Sequence, residues 1–173
     1  MASEKTLNAK SLAALGANRL AQLLLELTSG DTAAKRRLRL ELASLNGGED
    51  VAEEIRKRLA TIAKSRSFVD WNKVRTLATD LDMQRNAIVD HVAPTQPAEA
   101  FDLLWRLLEL AASVYERCDD SNGTISNIIA NARDDLGTIA ARAEPDARVL
   151  ADRVFVAVQT NDYAQFDGII GLM

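Results

Sequence analysis

Apolar residues recur at spacings of three and four in nearly every segment between turn signals, and no long stretch alternates strictly. That period predicts one amphipathic helix after another and no sheet. The first helical stretch covers residues 8–28, with Leu12, Leu15, Leu20, Leu23, Leu24 and Leu27 as its stripe. Gly16 should bend or divide it, and Gly30 should close it. Asp31 is placed to cap a second helix whose expected buried face is Ala34, Leu38, Leu42 and Leu45, ended by Asn46-Gly47-Gly48. A third carries Val51, Ile55, Leu59 and Ile62 on one side and stops near residues 65–67.

Val69 and Val74 flank Asp70 at the spacing of a hydrophobic staple, so Asp70 should open a fourth helix through Trp71, Leu77, Leu81, Ile88 and Val92. Pro94 and Pro97 end it, and Pro97 with Glu99 suits the first turn of a fifth helix reaching Cys118. The fifth is apolar around most of its circumference (Phe101, Leu103, Leu104, Trp105, Leu107, Leu108, Leu110), which requires neighbours on all sides and a central position. After a turn at residues 119–123, a sixth helix carries Ile125, Ile128, Ile129, Leu136 and Ile139. Glu144-Pro145 breaks it, and a seventh follows with Val149, Leu150, Val154, Phe155 and Val158. Asp162 can cap a last short one.

The pattern predicts a single all-α domain over residues 1–173. Seven to eight antiparallel helices would form either a helix-pair, solenoid-like array or an irregular bundle. No residue signature repeats at a fixed offset, so loop lengths alone leave both arrangements open. The chain finishes on Ile169, Ile170, Leu172 and Met173, an apolar end that needs covering by folding back or by a partner. Ile169, Ile170 and Leu172 are therefore candidate contacts for a second copy in a homodimer.

Composition narrows the class. The 173 residues are 47% hydrophobic and only 5% aromatic, enough to bury a core without staples. One cysteine, Cys118, excludes an internal disulfide framework and fits a reducing compartment. The polar opening Met1 to Lys5 carries no targeting pattern, and the apolar run at residues 101–114 is too short and too charged to span a bilayer. The expectation from these features is a cytoplasmic protein.

Candidate chemistry is sparse. His91 is the only histidine, which removes most nucleophile and base pairings and any zinc site needing two imidazoles. Cys118 lies beside Asp119 and Asp120, which should raise its thiol pKa and suppress a reactive thiolate. Counting a calcium loop back from Gly123 puts Cys118 first and Ile129 twelfth, so the required carboxylates are missing. Gly47-Gly48 follows no strand and precedes no Lys-Ser or Lys-Thr, which removes a phosphate loop. Adjacent Asp134 and Asp135 diverge by about 100° on a helix and cannot form a carboxylate dyad. The expectation is a protein that is not an enzyme, with no catalytic residues, metal or cofactor.

One feature exceeds noise. Up to Asp80 there are 14 Lys and Arg against 10 acids, and from Leu81 onward 7 against 15; overall the net charge is −4. The densest cations lie on the second and third helices, where Lys35, Arg36, Arg39, Arg56 and Lys57 form a candidate interaction surface for an acidic protein or a phosphate backbone. Their neighbours Glu41, Glu49, Asp50, Glu53 and Glu54 equally suit a plain solvated face. Phe68 and Trp71 sit at positions that look like core, so single-strand stacking is not expected.

Residues 15–27 (LGANRLAQLLLEL) with 35–43 (KRRLRLELA), and later 162–168 (DYAQFDG), resemble a family of proteobacterial all-helical proteins defined only as a domain of unknown function. The resemblance implies a bacterial source and an all-helical fold, carries no catalytic residues over, and implies further helices beyond those seen here. The leading expectation is thus a helical protein-protein interaction module. A nucleic-acid-associated protein using the basic N-terminal surface is the alternative.

Overall fold

The computed structural model describes residues 6–172, Leu172 by its backbone only; the polar opening Met1 to Lys5 and Met173 lie outside the described residues. In order the elements are α1 (Ala9–Ala13), α2 (Ala17–Leu27), α3 (Thr32–Ser44), α4 (Gly48–Lys64), α5 (Trp71–Ala87), a π-helical turn (Ile88–Val92), α6 (Pro97–Glu109), α7 (Ala111–Tyr115), α8 (Thr124–Ala143), α9 (Ala147–Gln159) and α10 (Ile169–Leu172). The fold is all-α. The described residues hold no strand, only an isolated bridge joining Val69 to Cys118.

The chain divides into two compact units, with the boundary between Leu38 and Arg39. In the first, a capping box opens α1: Asn8 Oδ1 accepts from the Ser11 amide (2.9 Å), and Ser11 Oγ accepts from the Asn8 amide (3.1 Å). Gly16, at φ 77°, divides α1 from α2 as its position foretold. Asp31 caps α3 by accepting from the Ala33 and Ala34 amides (2.9 and 3.0 Å). The leucine stripe of α2 forms but is not buried: Leu24 is 46% and Leu27 77% exposed. A unit of this size has too little chain to enclose a core of its own.

The second unit holds the core. On α4, Val51, Ile55, Leu59 and Ile62 are buried as their spacing requires. At the end of α3 the buried residues are Leu40 and Ala43, whereas Leu42 and Leu45, expected inside, are exposed. Leu38, Leu40 and Leu42 alternate along that helix, so periodicity alone could not select its inner face. The expected fourth helix is α5 plus the π turn, whose wider ring is closed by the Ala93 amide donating to the Ile88 carbonyl (2.9 Å). Ile88 and Val92 are both fully buried there, and Arg142 Nη2 donates to the Ala93 carbonyl (3.0 Å).

Helix α6 is at the centre. Leu103, Leu104, Trp105, Leu107 and Leu108 are essentially inaccessible, and the helix touches α4, the π turn, α7 and, most extensively, α8. The expected fifth helix runs on past it, interrupted at Leu110, as α7. Helix α8 also packs on α5 and on α10. Its N-terminus is closed by Asp120, which accepts from the Ile125 amide (2.7 Å) and the Ser126 amide (2.8 Å). Helix α9 is capped by Asp146, which accepts from the Arg148 and Val149 amides (both 3.0 Å). It buries only Ala157 fully, with Leu150 and Val154 packed against the core. Val149, Phe155 and Val158, expected inside, are exposed. At the chain's end Phe166 and Ile169 fold into the core, with the Phe166 ring centroid 5.6 Å from that of Trp105.

The start of α4 lies against the end of the π turn so closely that a Cβ on Gly48 would come within 2.8 Å of the His91 carbonyl oxygen and 2.9 Å of Thr95 Oγ1. Because the first of these is backbone and cannot rotate away, Gly48→Ala is expected to destabilise the protein by at least about 1 kcal/mol despite the better helix propensity of alanine. Urea unfolding measures this directly. An unchanged midpoint would show that the two elements separate without cost.

Candidate functional site

Arg56, Lys57 and Arg58 are consecutive on α4, so their side chains leave the helix about 100° apart. Each finds different company. Arg56 Nε donates to Glu99 Oε1 on α6 (2.8 Å). Lys57 Nζ lies 2.8 Å from Glu53 and 3.2 Å from Glu54, one turn back on its own helix. The exposed carboxyl of Glu53 is lowered chiefly by its bond from Lys57, and Lys57 is raised in return. Arg58 turns inward to α5, where its Nε donates to Asp80 Oδ2 (2.8 Å) and its Nη2 makes a second, shorter bond to the same oxygen. Asp80 is buried, and Gln84 Nε2 lies 3.3 Å from its other oxygen.

Arg56 and Lys57, both expected on one basic surface, therefore hold carboxylates on different sides of α4. Lys35 is exposed and Arg36 half-buried on α3. Arg39 lines a groove of about 410 Å³ with Leu42, Ala43, Asn46, Asp50, Glu53 and Glu54, in which acids outnumber it. Arg56 lines a different groove, of about 430 Å³, between α4 and α6. Its walls carry Arg66, Arg106 and Glu109, and its apolar lining is Leu59, Ala60, Ala63 and Leu110.

Ile169, expected at a contact with a second copy, is fully buried beside α8 and is not available for one. The short last helix brings it back onto the core, the folding-back that the apolar end required. Ile170 remains 70% exposed, and the Leu172 side chain lies outside the described residues.

Phe68 and Trp71, expected in the core, are 68% and 82% exposed. The cause is Arg117, a buried arginine at the end of α7. Its Nη1 donates to Ser65 Oγ (3.1 Å) and the Ser67 carbonyl (3.2 Å), its Nη2 to the Ile62 carbonyl (3.3 Å), and its Nε to the Ser113 carbonyl (2.8 Å). The Val69 amide donates in turn to the Arg117 carbonyl (2.7 Å). Ser65 Oγ, the Ser67 carbonyl and the Val69 amide are thus held by Arg117, while the rings of Phe68 and Trp71 stand in solvent. Neither the guanidinium nor its role was visible in sequence, because Arg117 is separated from its acceptors at Ser65 by 52 positions.

Of the remaining polar groups, His91 is exposed, Asp134 is exposed, and Asp135 pairs with Arg85 (2.5 Å). Among the described residues no group of three or more His, Cys, Asp or Glu could hold a metal ion. Among them, too, no helix is long and apolar enough to cross a membrane.

The chain belongs to the family of unknown function DUF6880, whose pattern matches residues 2–173. No curated protein and no solved structure matches it.

Cys118 is half-buried, and burial pushes its thiol up, with Asp120 and Asp119 adding to the effect while Arg117 opposes it. A raised thiol pKa leaves less thiolate at neutral pH. Alkylation by iodoacetamide at about pH 7.5 should therefore be several-fold slower than for a free thiol of pKa near 8.5, with the rate climbing only above that range. Measuring the rate against pH checks this, and a rate equal to that of the free thiol would contradict the burial.

Proposed function

We propose that the protein is a non-enzymatic, cytoplasmic helical module that binds another protein. The observation carrying this reading is the outer side of α9. The inner side is held against α6: Arg153 Nη1 donates to Asp102 Oδ1 (2.5 Å), and its guanidinium lies over the Trp105 ring at 4.6 Å. On the other side Phe155 is 65% exposed, and Val149, Val156 and Val158 are also open to solvent. Val149 and Val156 are seven residues apart and Phe155 and Val158 three, so helical spacing makes them two apolar pairs about 100° apart on the outer side. Exposed apolar positions of this kind mark interaction surfaces in soluble proteins, and aromatic anchors such as Phe155 carry most of the affinity in protein contacts.

A nucleic-acid surface on α3 and α4 has less support. Arg56 and Lys57 already hold carboxylates, and Arg39 stands among three more.

The test is recovery of partners from the source organism's lysate by tagged protein, in nuclease-treated and untreated halves. A discrete polypeptide should survive nuclease with wild-type bait, and recovery should fall at least about tenfold with Phe155→Asp plus Val156→Asp. Both positions are exposed, so circular dichroism and thermal unfolding should stay near wild type. Equal recovery by both baits, or none by either, would defeat this reading.

A further inference from the structure

The protein-binding side of α9 does not account for Phe68 and Trp71. Two exposed aromatic rings stand three residues apart on a segment pinned by Arg117, and what surrounds them differs from α9. Residues 64–75 contain Lys64, Arg66, Lys73 and Arg75, all exposed, against a single acid, Asp70. Lys73 lies 3.6 Å from Asp70 with both side chains well exposed, a weak pairing. Trp71 and Arg75 are one turn apart on α5, so ring and guanidinium share a face. The other exposed neighbours, Ser67, Asn72 and Thr76, are small hydrogen-bonding residues.

The guanidinium that organises the segment adds to this field. All four of its acceptors are neutral carbonyl or hydroxyl oxygens, and the acids that follow it, Asp119 and Asp120, are engaged by the Ser121, Ile125 and Ser126 amides. Protein-binding aromatics usually sit within an apolar patch ringed by polar groups. Within residues 64–75 the aromatics stand with four exposed cations, one acid and amide or hydroxyl groups, a composition that stacks bases and holds phosphates.

We propose that residues 64–75 bind single-stranded nucleic acid, with bases stacking on Phe68 and Trp71 and phosphates held by Lys64, Arg66, Lys73 and Arg75. The site is distinct from α9 and adjoins the surface first expected on α4, since Arg66 lines the same groove as Arg56. It requires no duplex groove, because the rings are presented by a loop and a helix start and not by an inserted helix. Rigid presentation keeps the ordering cost of binding low.

The test uses the full chain with fluorescein-labelled oligo-U and oligo-dT of about twelve nucleotides, at about 50 mM salt, read by anisotropy and by tryptophan emission. Trp105 is buried beneath Arg153, so stacking should quench the emission of Trp71. Binding should weaken steeply as salt rises. Trp71→Ala should weaken it at least about fivefold, and Trp71→Phe should restore most of the loss. Arg66→Glu plus Arg75→Glu, which leaves both rings in place, should weaken binding and flatten its salt dependence.

A labelled oligo-glutamate peptide distinguishes the other class of partner. Binding of that peptide through Trp71, without binding of the oligonucleotides, would assign the segment to an acidic protein and overturn the proposal. No oligonucleotide binding at low salt would overturn it too, as would binding that Trp71→Ala and the double arginine variant, both folded by circular dichroism, leave unchanged. The α9 variant Phe155→Asp plus Val156→Asp should bind oligonucleotide like wild type, so this proposal and the protein-binding reading stand or fall separately.

Discussion

A helix that is apolar around most of its circumference can exist in water only if other elements enclose that surface, and α6 is such a helix, with Asp102, Arg106 and Glu109 as its narrow polar edge. Full burial of each large aliphatic side chain is worth about 1.5–3 kcal/mol. With Leu103, Leu104, Trp105, Leu107 and Leu108 all inaccessible, α6 outweighs any other element in its claim on the surrounding chain. Helix α4 offers Ile55 and Leu59, the π turn offers Ile88 and Val92, and α8 offers Ile128, Ala132 and Leu136.

Around this apolar centre the neighbours are fastened by arginines. Arg58 ties α4 to Asp80 of α5, Arg85 ties α5 to Asp135 of α8, Arg56 ties α4 to Glu99 of α6, and Arg153 ties α9 to Asp102. Removing one partner of the most buried pair, Arg58 and Asp80, would strand a charge. Such pairs specify which helices meet more than they add to stability. The cation excess in the first half of the chain is therefore in good part structural. Charge counts along a sequence register how many cations exist, and only three-dimensional packing decides which of them already hold a carboxylate.

That distinction marks how far the sequence could be read. Chain-local events were legible: the break at Gly16, the cap by Asp31, the turn at residues 119–123 before α8, and the break at Glu144-Pro145. Each depends on backbone dihedrals and hydrogen bonds within a few residues. The inner faces of α4 and α6 were also legible, since α4 has a strict apolar stripe and α6 is apolar everywhere but along Asp102, Arg106 and Glu109. The inner faces of α3 and α9 were not, because each carries apolar residues on more than one side and only the partner surface chooses. Ile169 illustrates the same point: its apolarity was plain, but whether α8 or a second copy would cover it was a tertiary question.

Phe68 and Trp71 are the sharpest case. Their apolar rings beside a hydrophobic staple read as core, and Val69 and Val74 do pack inward, so the local pattern was correct for two of the four residues. What reversed the other two is a hydrogen-bonding requirement. The carbonyl of Ile62 at the end of α4, with those of Ser67 and Ser113, needs a donor where the helix stops, and Arg117 supplies one cation for all of them. Meeting that requirement with a buried arginine fixes the direction of residues 65–69, and with Val69 drawn inward its neighbour Phe68 must point away. A device that satisfies backbone polarity in the core thus determines which aromatics the protein shows to its surroundings.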